Sequence, residues 1–65
     1  MKIRINAEEK QVQSDTLEDL LEELGYEKCS VATAVNQEFV PRAMREHCTL
    51  TDSDSVDIIA PMSGG

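Results

Sequence analysis

One stretch decides the fold class of this chain: TLEDLLEELG, residues 16–25. Its four leucines fall at i, i+3, i+4 and i+7, which places them on one face of an α-helix. The spacing therefore predicts an amphipathic helix whose apolar stripe must be buried against another element.

Both ends of this helix carry capping signals. Thr16 lies three residues before Asp19, and Asp15 lies three before Glu18, so either pair has capping-box spacing. Either choice also places negative charge at the positive end of the helix dipole. Gly25 follows the last leucine, where a left-handed C-terminal cap is favoured.

Strand signals precede the helix. Ile3 and Ile5 alternate with charged residues, which is the period-two pattern of a strand with one buried face. Residues 7–10, AEEK, are interpreted as a turn, and Val12 as part of a short second strand. The chain is thus predicted to open with a β-hairpin.

A second pair of strands is predicted after the helix. Residues 31–35, VATAV, are apolar and β-branched, which indicates a largely buried strand. Asn36-Gln37 is a candidate hairpin turn, although Gln suits a positive φ less well than Gly. Residues 38–40 form a short return strand that ends at Pro41, which has no backbone donor. For residues 43–48 the sequence leaves a helical turn and an irregular segment open.

The last strand begins after a turn cluster, TDSD, at residues 51–54. Val56 and Ile58 alternate with a charged residue and are expected on the core side, and the residues through Met62 carry the strand onward. Ile59 then points to the opposite face. An exposed Ile59 beside Met62 would be an apolar partner contact; cover by a neighbouring loop is the alternative.

Together these elements predict an α+β fold, a mixed sheet of four to five strands wrapped around one main helix. At 65 residues the chain holds one domain, and a domain of this size rarely encloses a substrate pocket. A carrier, an adaptor or a subunit is therefore expected rather than an enzyme.

The composition limits which classes of binding partner are expected. The formal net charge is -7, and Tyr26 and Phe39 are the two aromatic residues. This argues against nucleic acid, whose binding needs basic residues and stacking platforms. The acidity suits either a partner with a basic docking surface or solubility alone. The outward helix face is acidic too, with Glu18, Asp19, Glu22 and Glu23.

The expected location is the cytoplasm. The N-terminal residues alternate charged and aliphatic side chains without the apolar core of a signal peptide, and no apolar run approaches membrane-spanning length. No membrane partner is expected. Cys29 and Cys48 are interpreted as free, buried, structural thiols of a reducing compartment.

The sequence offers no catalytic or metal-binding set. His47 is the single histidine, interpreted as a surface residue, and no Ser-His-Asp or Cys-His pairing is evident. There is no close cysteine pair for zinc and no glycine loop for phosphate. We therefore expect no catalytic residue, no metal and no bound cofactor.

The chemistry is expected at the end of the chain, in Ser63, Gly64 and Gly65. This segment follows directly on a strand, so it would leave a rigid body as a flexible arm. Glycines lack Cβ, which lets such an arm thread a narrow channel and leaves the Gly65 carboxylate unhindered for activation by ATP. A frayed terminus or an expression remnant is the alternative.

Three segments make the chain resemble the ThiS family, the sulfur carriers of thiamine biosynthesis. They are the Gly-Gly end, the stretch VNQEFVPR at residues 35–42 and the turn LTDSDSV at residues 50–56. The resemblance covers nearly the whole chain. Ser53 and Gln37 depart from the family pattern, since glycine is usual at both positions, and both departures bear on turn geometry.

The resemblance implies a ubiquitin-like β-grasp domain, residues 1–62, with a flexible tail, residues 63–65. It also implies a cycle performed by partners. A ThiF-like adenylyltransferase related to ubiquitin-activating enzymes would use MgATP to convert the Gly65 carboxylate to an acyl-adenylate. Sulfur from a cysteine desulfurase would replace AMP and leave a thiocarboxylate. A ThiG-like thiazole synthase would then build the thiazole ring with that sulfur.

Because Gly-Gly ends occur in other β-grasp proteins, three alternatives stay open. The molybdopterin synthase small subunit, to which Pro61-Met62-Ser63 is somewhat similar, would give its sulfur to another acceptor. A ubiquitin-like modifier would join Gly65 to lysines. A plain interaction module would have an incidental tail.

Overall fold

In residues 1–60, which the computed structural model describes, two β-hairpins and a final strand form one sheet on one α-helix. The strand order is β2-β1-β5-β3-β4. In chain order the elements are β1 (Lys2–Ile5), β2 (Glu8–Gln11), α1 (Leu17–Leu24), a 3₁₀ helix (Lys28–Ser30), β3 (Ala32–Val35), β4 (Glu38–Val40), a second 3₁₀ helix (Arg42–His47) and β5 (Ser55–Ile59).

The sheet is mixed, and the last strand lies at its centre. β5 pairs parallel to β1 and antiparallel to β3, whereas both hairpins are antiparallel. The strand that leads to the C-terminal segment is therefore fixed on both sides. The predicted α+β fold, with a mixed sheet on one main helix, is confirmed.

Helix α1 begins and ends as its sequence predicts. Thr16 Oγ1 accepts a hydrogen bond from the Asp19 amide at 3.2 Å, which is the first of the two predicted capping pairs. Gly25 has a φ of 80°, and its amide donates to the Glu22 carbonyl at 3.1 Å, so the helix ends in a left-handed cap. Three of the four leucines join the buried core, which consists of Ile3, Ile5, Val12, Leu17, Leu20, Leu21, Leu50, Val56 and Ile58.

The first hairpin turn lies earlier than predicted. Asn6 and Ala7 have φ values of 51° and 69°, and two consecutive positive φ values are the type I′ pattern of a two-residue hairpin loop. The interpretation of residues 7–10 as a turn is wrong, since Glu8–Gln11 is a strand paired with β1. Its four side chains are all exposed, so it lacks the alternation by which a half-buried strand is recognised.

The second hairpin turn confirms its prediction. Asn36 and Gln37 have φ values of 52° and 70°, which again is the type I′ pattern. Ser53, in the turn before β5, has a φ of 75°. Gln37 and Ser53 thus both have left-handed backbone geometry although neither is glycine.

Strand β3 is less buried than predicted. Thr33 is its one buried residue, whereas Ala32 is exposed and Ala34 and Val35 are half-buried. The prediction of a largely buried strand at residues 31–35 is wrong because α1 covers only one face of the sheet. Thr33 points to that face, and its neighbours on either side point away from it.

Two elements follow β4: the second 3₁₀ helix and strand β5. Residues 43–48, which the sequence left open, largely belong to the 3₁₀ helix Arg42–His47. Strand β5 ends at Ile59. The predicted continuation to Met62, and with it the boundary between a domain at residues 1–62 and a tail at residues 63–65, lies outside the described residues.

Candidate functional site

Strand β5 carries the chain from the core to the C-terminal segment. Val56 and Ile58 are 0% and 5% exposed, and they lie opposite Val35 and Thr33 of β3. Ile59 points to the opposite face because side chains alternate along a strand. The C-terminal segment is therefore attached to a buried, central strand.

A side chain from the first hairpin turn holds the end of β5. Strand β1 ends at Ile5, which pairs with Val56, and the Asn6 amide donates to the Val56 carbonyl at 2.9 Å. Beyond this point the chain turns into β2. Asn6 Oδ1 accepts from the Ile58 amide at 2.8 Å, and Asn6 Nδ2 donates to the Ile58 carbonyl at 3.1 Å. The Asn6 side-chain amide thus makes the hydrogen bonds to Ile58 that the backbone of β1 would make if that strand continued.

The second hairpin turn holds the start of β5. Asn36 Oδ1 accepts from the Ser55 amide at 3.1 Å, and Asn36 Nδ2 donates to Asp54 Oδ1 at 3.2 Å. Asp54 also accepts from the Thr51 amide at 2.8 Å and from its hydroxyl at 3.0 Å. Burial raises the pKa of Asp54, but the hydrogen bonds from Thr51 and Asn36 together hold that pKa below its ordinary value. These contacts close the turn before the strand.

Apolar side chains gather on the outer face of the sheet, beside the end of β5. Ile59 is 62% exposed and lies opposite Ala32, and Phe39 is 67% exposed and lies opposite Ala34. Two strand spacings and a two-residue offset along the strands separate the two large side chains by about 12 Å. We call these four residues the outer patch. The predicted exposure of Ile59 is confirmed, whereas its predicted neighbour Met62 lies outside the described residues.

Exposed apolar surface continues from Phe39 toward the second 3₁₀ helix. Met44 of that helix is 52% exposed. An open groove of about 240 Å³ is lined by Phe39, Val40, Pro41, Met44, His47 and Cys48. A stretch of apolar surface that runs over two elements is typical of a protein contact site.

Sequence reasoning missed one buried charge, Arg45, which is 2% exposed. Its guanidinium donates to Thr33 Oγ1 at 3.1 Å and to the carbonyls of Lys28 and Val31 at 2.7 and 2.6 Å. These bonds tie the second 3₁₀ helix to β3 and to the segment before it. No sequence signal marks this residue, because two of its three acceptors are backbone carbonyls that any residue would supply.

The reactive side chains of the body are not brought together. Cys29 is exposed, so the prediction of two buried thiols is wrong for this residue, and Cys48 is half-buried. Burial, and then the charge of Asp54, raises the pKa of the Cys48 thiol, which disfavours the nucleophilic thiolate. His47 is exposed, with Nε2 3.6 Å from Glu46. Within residues 1–60 no three metal-ligating side chains cluster.

The acidic face of α1 is engaged by contacts within the chain. Lys28 Nζ lies 3.0 Å from Glu18 and 2.9 Å from Glu22, and the hydrogen bond from Lys28 is the main cause of the lowered pKa of Glu22. Glu23 accepts from the Ser14 hydroxyl, the main cause of its own lowered pKa. Exposed pairs of this kind contribute little to stability.

No helix in the described part of the chain is long and apolar enough to cross a membrane.

The predicted reactive residues, Ser63, Gly64 and Gly65, lie outside the described residues, so their role stays a prediction. The structure brings together the elements that precede them: β5, the Asn6 side chain and the outer patch. A last strand that lies centrally and parallel to the first, in a mixed sheet on one helix, is the arrangement of a ubiquitin-like β-grasp protein.

Two solved structures share this fold over the whole chain. The crystal structure of the thiamine biosynthesis protein ThiS from Geobacter metallireducens matches with a TM-score of 0.83 and 25% identity, and the match covers 100% of both chains. The NMR solution structure of a thiamine biosynthesis protein from the same organism has the same TM-score and identity, with 88% of that chain covered.

Sequence comparison gives the family. The model of the ThiS family matches residues 3–65, and the chain therefore belongs to the ThiS family, the sulfur carriers of thiamine biosynthesis. It is 34% identical over 61 residues to the sulfur carrier protein ThiS of Thermus thermophilus. That match covers 94% of this chain and 95% of the relative. It is also 38% identical over 66 residues to a thiazole synthase of Paramagnetospirillum magneticum. That match covers 100% of this chain but only 20% of the longer protein.

Proposed function

We propose that this chain carries sulfur for thiazole formation and that the Gly65 carboxylate is its attachment point. The observation that carries the proposal is the family match over residues 3–65, which includes the Gly-Gly end. The identity of 34% to a sulfur carrier of nearly equal length supports the same function. β5, fixed on both sides in the sheet, is the strand that leads to this segment.

The proposed chemistry follows from the poor electrophilicity of a carboxylate. On a ThiF-like adenylyltransferase, one oxygen of the Gly65 carboxylate bonds to the α-phosphorus of MgATP and pyrophosphate leaves. The terminal sulfur of a persulfide, supplied through a cysteine desulfurase, then attacks the acyl carbon and AMP leaves. A second thiol cleaves the resulting acyl disulfide, which leaves a thiocarboxylate on Gly65 and a disulfide on the donor.

In this proposal the partners supply MgATP and every catalytic group, so the chain is a co-substrate and not an enzyme. The raised pKa of the Cys48 thiol and the exposed position of His47 fit this division. Gly64 and Gly65 have no side chain to obstruct a narrow channel. The cytoplasm, where ATP and thiols are available, is the proposed location.

A ThiG-like thiazole synthase is the proposed enzyme that consumes the sulfur. The thiazole synthase of P. magneticum contains a region, 20% of its length, that is 38% identical to this chain. A carrier-like region inside a protein named for the consuming enzyme supports the view that the two act together. This favours thiazole over molybdopterin as the destination of the sulfur.

The outer patch is the proposed docking surface for these partners. Ile59 is the last residue of β5, so a partner that covers the patch contacts the residue from which the chain leaves the sheet toward Gly65. Exposed aromatic and aliphatic side chains such as Phe39 and Ile59 are suited to the core of a protein interface. Asp57 lies opposite Ala34, on the same face and strand as Ile59, and the net charge of -7 favours a partner with basic residues around its apolar contact.

Intact-mass spectrometry tests the proposal. The chain ending at Gly65 is incubated with a ThiF-like adenylyltransferase, MgATP, a cysteine desulfurase and cysteine. We expect an ATP-dependent mass increase that corresponds to one oxygen replaced by sulfur. A variant that lacks Gly65, and one with a residue appended after it, should show no increase and should melt at the wild-type temperature.

The other outcomes separate the alternatives. Covalent conjugates to lysines would assign the chain to the protein modifiers. Transfer of the sulfur to a molybdopterin precursor, but not to thiazole, would redirect it to the other pathway. An unchanged mass with partners that activate their own carrier would refute the proposal.

A further inference from the structure

One side chain completes the pairing of β5 where β1 ends. Asn6 and Ala7 turn the chain into β2, so the backbone of β1 no longer runs beside Ile58. The Ile58 amide and carbonyl instead meet Asn6 Oδ1 and Nδ2, at 2.8 and 3.1 Å. A carboxamide offers the same donor and acceptor as a peptide group. Asn6 therefore supplies one more rung of the parallel ladder.

This rung lies at the base of the C-terminal segment. On the other side of β5, the last pair with β3 joins Ile59 to Ala32. Without the Asn6 side chain, the end of β5 would be held from the β3 side alone. Each residue released from a fixed backbone conformation multiplies the directions that the following chain can take. The side chain of Asn6 thus limits the directions in which the chain leaves the sheet at Ala60.

The second hairpin contains a matched counterpart. Asn36 has a φ of 52°, against 51° for Asn6, and each opens a two-residue turn. Each side chain donates one hydrogen bond and accepts one next to β5, but the Asn36 bonds go to Asp54 and Ser55, at the start of the strand. The chain therefore carries two similar clamps at opposite ends of the strand that leads to its C-terminal segment.

We propose that Asn6 is a positioning residue for sulfur transfer: its side-chain clamp on Ile58 fixes the direction in which the chain leaves β5, so that a docked partner meets the start of the C-terminal segment in one place. The proposal rests on the proposed function. A clamp of this kind acts after docking, because the outer patch does not include Asn6. Its loss should lower the rate within the docked complex rather than the affinity of the complex.

The first test compares Asn6→Gly with Asn36→Gly by amide hydrogen exchange, read by NMR. Glycine keeps the positive φ of both turns, so each variant loses one clamp and retains its hairpin. We expect the Ile58 amide to exchange about tenfold faster in Asn6→Gly and at the wild-type rate in Asn36→Gly. Unchanged exchange at Ile58 in Asn6→Gly would overturn the proposal.

The second test measures adenylation of the same two variants by the partner adenylyltransferase, with carrier concentration varied. We expect kcat to fall about three- to tenfold in Asn6→Gly with KM unchanged within about twofold, and neither value to change in Asn36→Gly. Asn36→Gly controls for a general loss of stability, because it also removes two side-chain hydrogen bonds next to β5. Equal effects in the two variants, or a change confined to KM, would contradict positioning by Asn6.

A graded variant covers the case in which Asn6→Gly folds poorly. In Asn6→Asp the carboxylate still accepts from the Ile58 amide but cannot donate to its carbonyl, so kcat should fall without any change of turn. A wild-type kcat in this variant would argue against the clamp. If the wild-type chain itself is not adenylated, the proposed function fails, and the exchange comparison, which needs no partner, still decides whether Asn6 holds Ile58.

Discussion

The two faces of the sheet use similar side chains for different purposes. On the inner face, Ile58 is 5% exposed and belongs to the core with the leucines of α1. On the outer face, its neighbour Ile59 is 62% exposed. The two residues are chemically identical and adjacent, so only the alternation of the strand separates them. Position, and not residue type, divides the residues that fold the domain from those available to a partner.

The inner face also satisfies its polar groups. Thr33 is 1% exposed; it donates to the Val40 carbonyl at 3.0 Å and accepts from Arg45 Nε at 3.1 Å. In the described part of the chain, every buried side-chain nitrogen and oxygen has a hydrogen-bond partner. The inner face is thus a closed set of contacts, whereas the outer patch is open to solvent.

Removal of the buried guanidinium of Arg45 should destabilise the inner face more than any other change proposed below. We expect Arg45→Ala to lower the free energy of unfolding by about 3 kcal/mol, since it leaves a cavity and takes a donor from Thr33 and from two backbone carbonyls. That is a large part of the 5 kcal/mol or so typical of a marginally stable small domain. Urea unfolding measures the loss.

Arg42→Ala is the matched control, because Arg42 begins the same 3₁₀ helix but is exposed. Its effect should stay within about 0.5 kcal/mol. Similar losses in the two variants would show that Arg45 does not act through its buried hydrogen bonds.

The adjacent isoleucines permit a direct comparison of the two faces. Ile58→Thr buries a hydroxyl in an apolar core and should cost about 2 kcal/mol of stability, while the folded protein keeps its affinity for the adenylyltransferase. Ile59→Thr retains the β-branched shape and should change stability by less than about 0.5 kcal/mol. It should nevertheless weaken partner binding about five- to tenfold.

Urea unfolding and titration calorimetry measure the two quantities for both variants. A loss of partner affinity in Ile58→Thr with none in Ile59→Thr would place the docking surface elsewhere.

The smallest expected effect concerns the turn that begins β5. The pKa of Asp54 is held below its ordinary value, so its contribution to stability is full above the pKa of an unfolded aspartate, which is about 4, and is lost as pH falls through the folded pKa. Because Asp54 is partly exposed, this contribution should be well under about 1 kcal/mol. Urea unfolding near pH 6 and near pH 3 should show a smaller acid-induced loss in Asp54→Asn than in the wild type.

Much of the inner face could be predicted from sequence. The leucine stripe, the Thr16 cap and Gly25 are local signals, and each depends on residues a few positions apart. Asn36-Gln37 was recognisable as a turn because apolar runs flank it on both sides. These features require no knowledge of the rest of the fold.

The features that could not be predicted from sequence share a physical cause: each depends on residues far away along the chain. The exposed strand Glu8–Gln11 has no alternation of its own and is defined by its pairing with β1. Arg45 is buried because carbonyls of Lys28 and Val31 meet it in the folded chain. The clamp of Asn6 on Ile58 joins residues 52 positions apart. No local pattern contains such information.

We propose that docking by the body and reaction at Gly65 are two separable functions of the chain. The most direct test is competition: the chain without Gly65 is added to the adenylyltransferase during activation of the wild-type chain. We predict competitive inhibition with a Kd within about threefold of the wild-type Kd, because the outer patch is intact, and no adenylate on the shortened chain. Failure of the shortened chain to inhibit, or adenylation of it, would contradict this account.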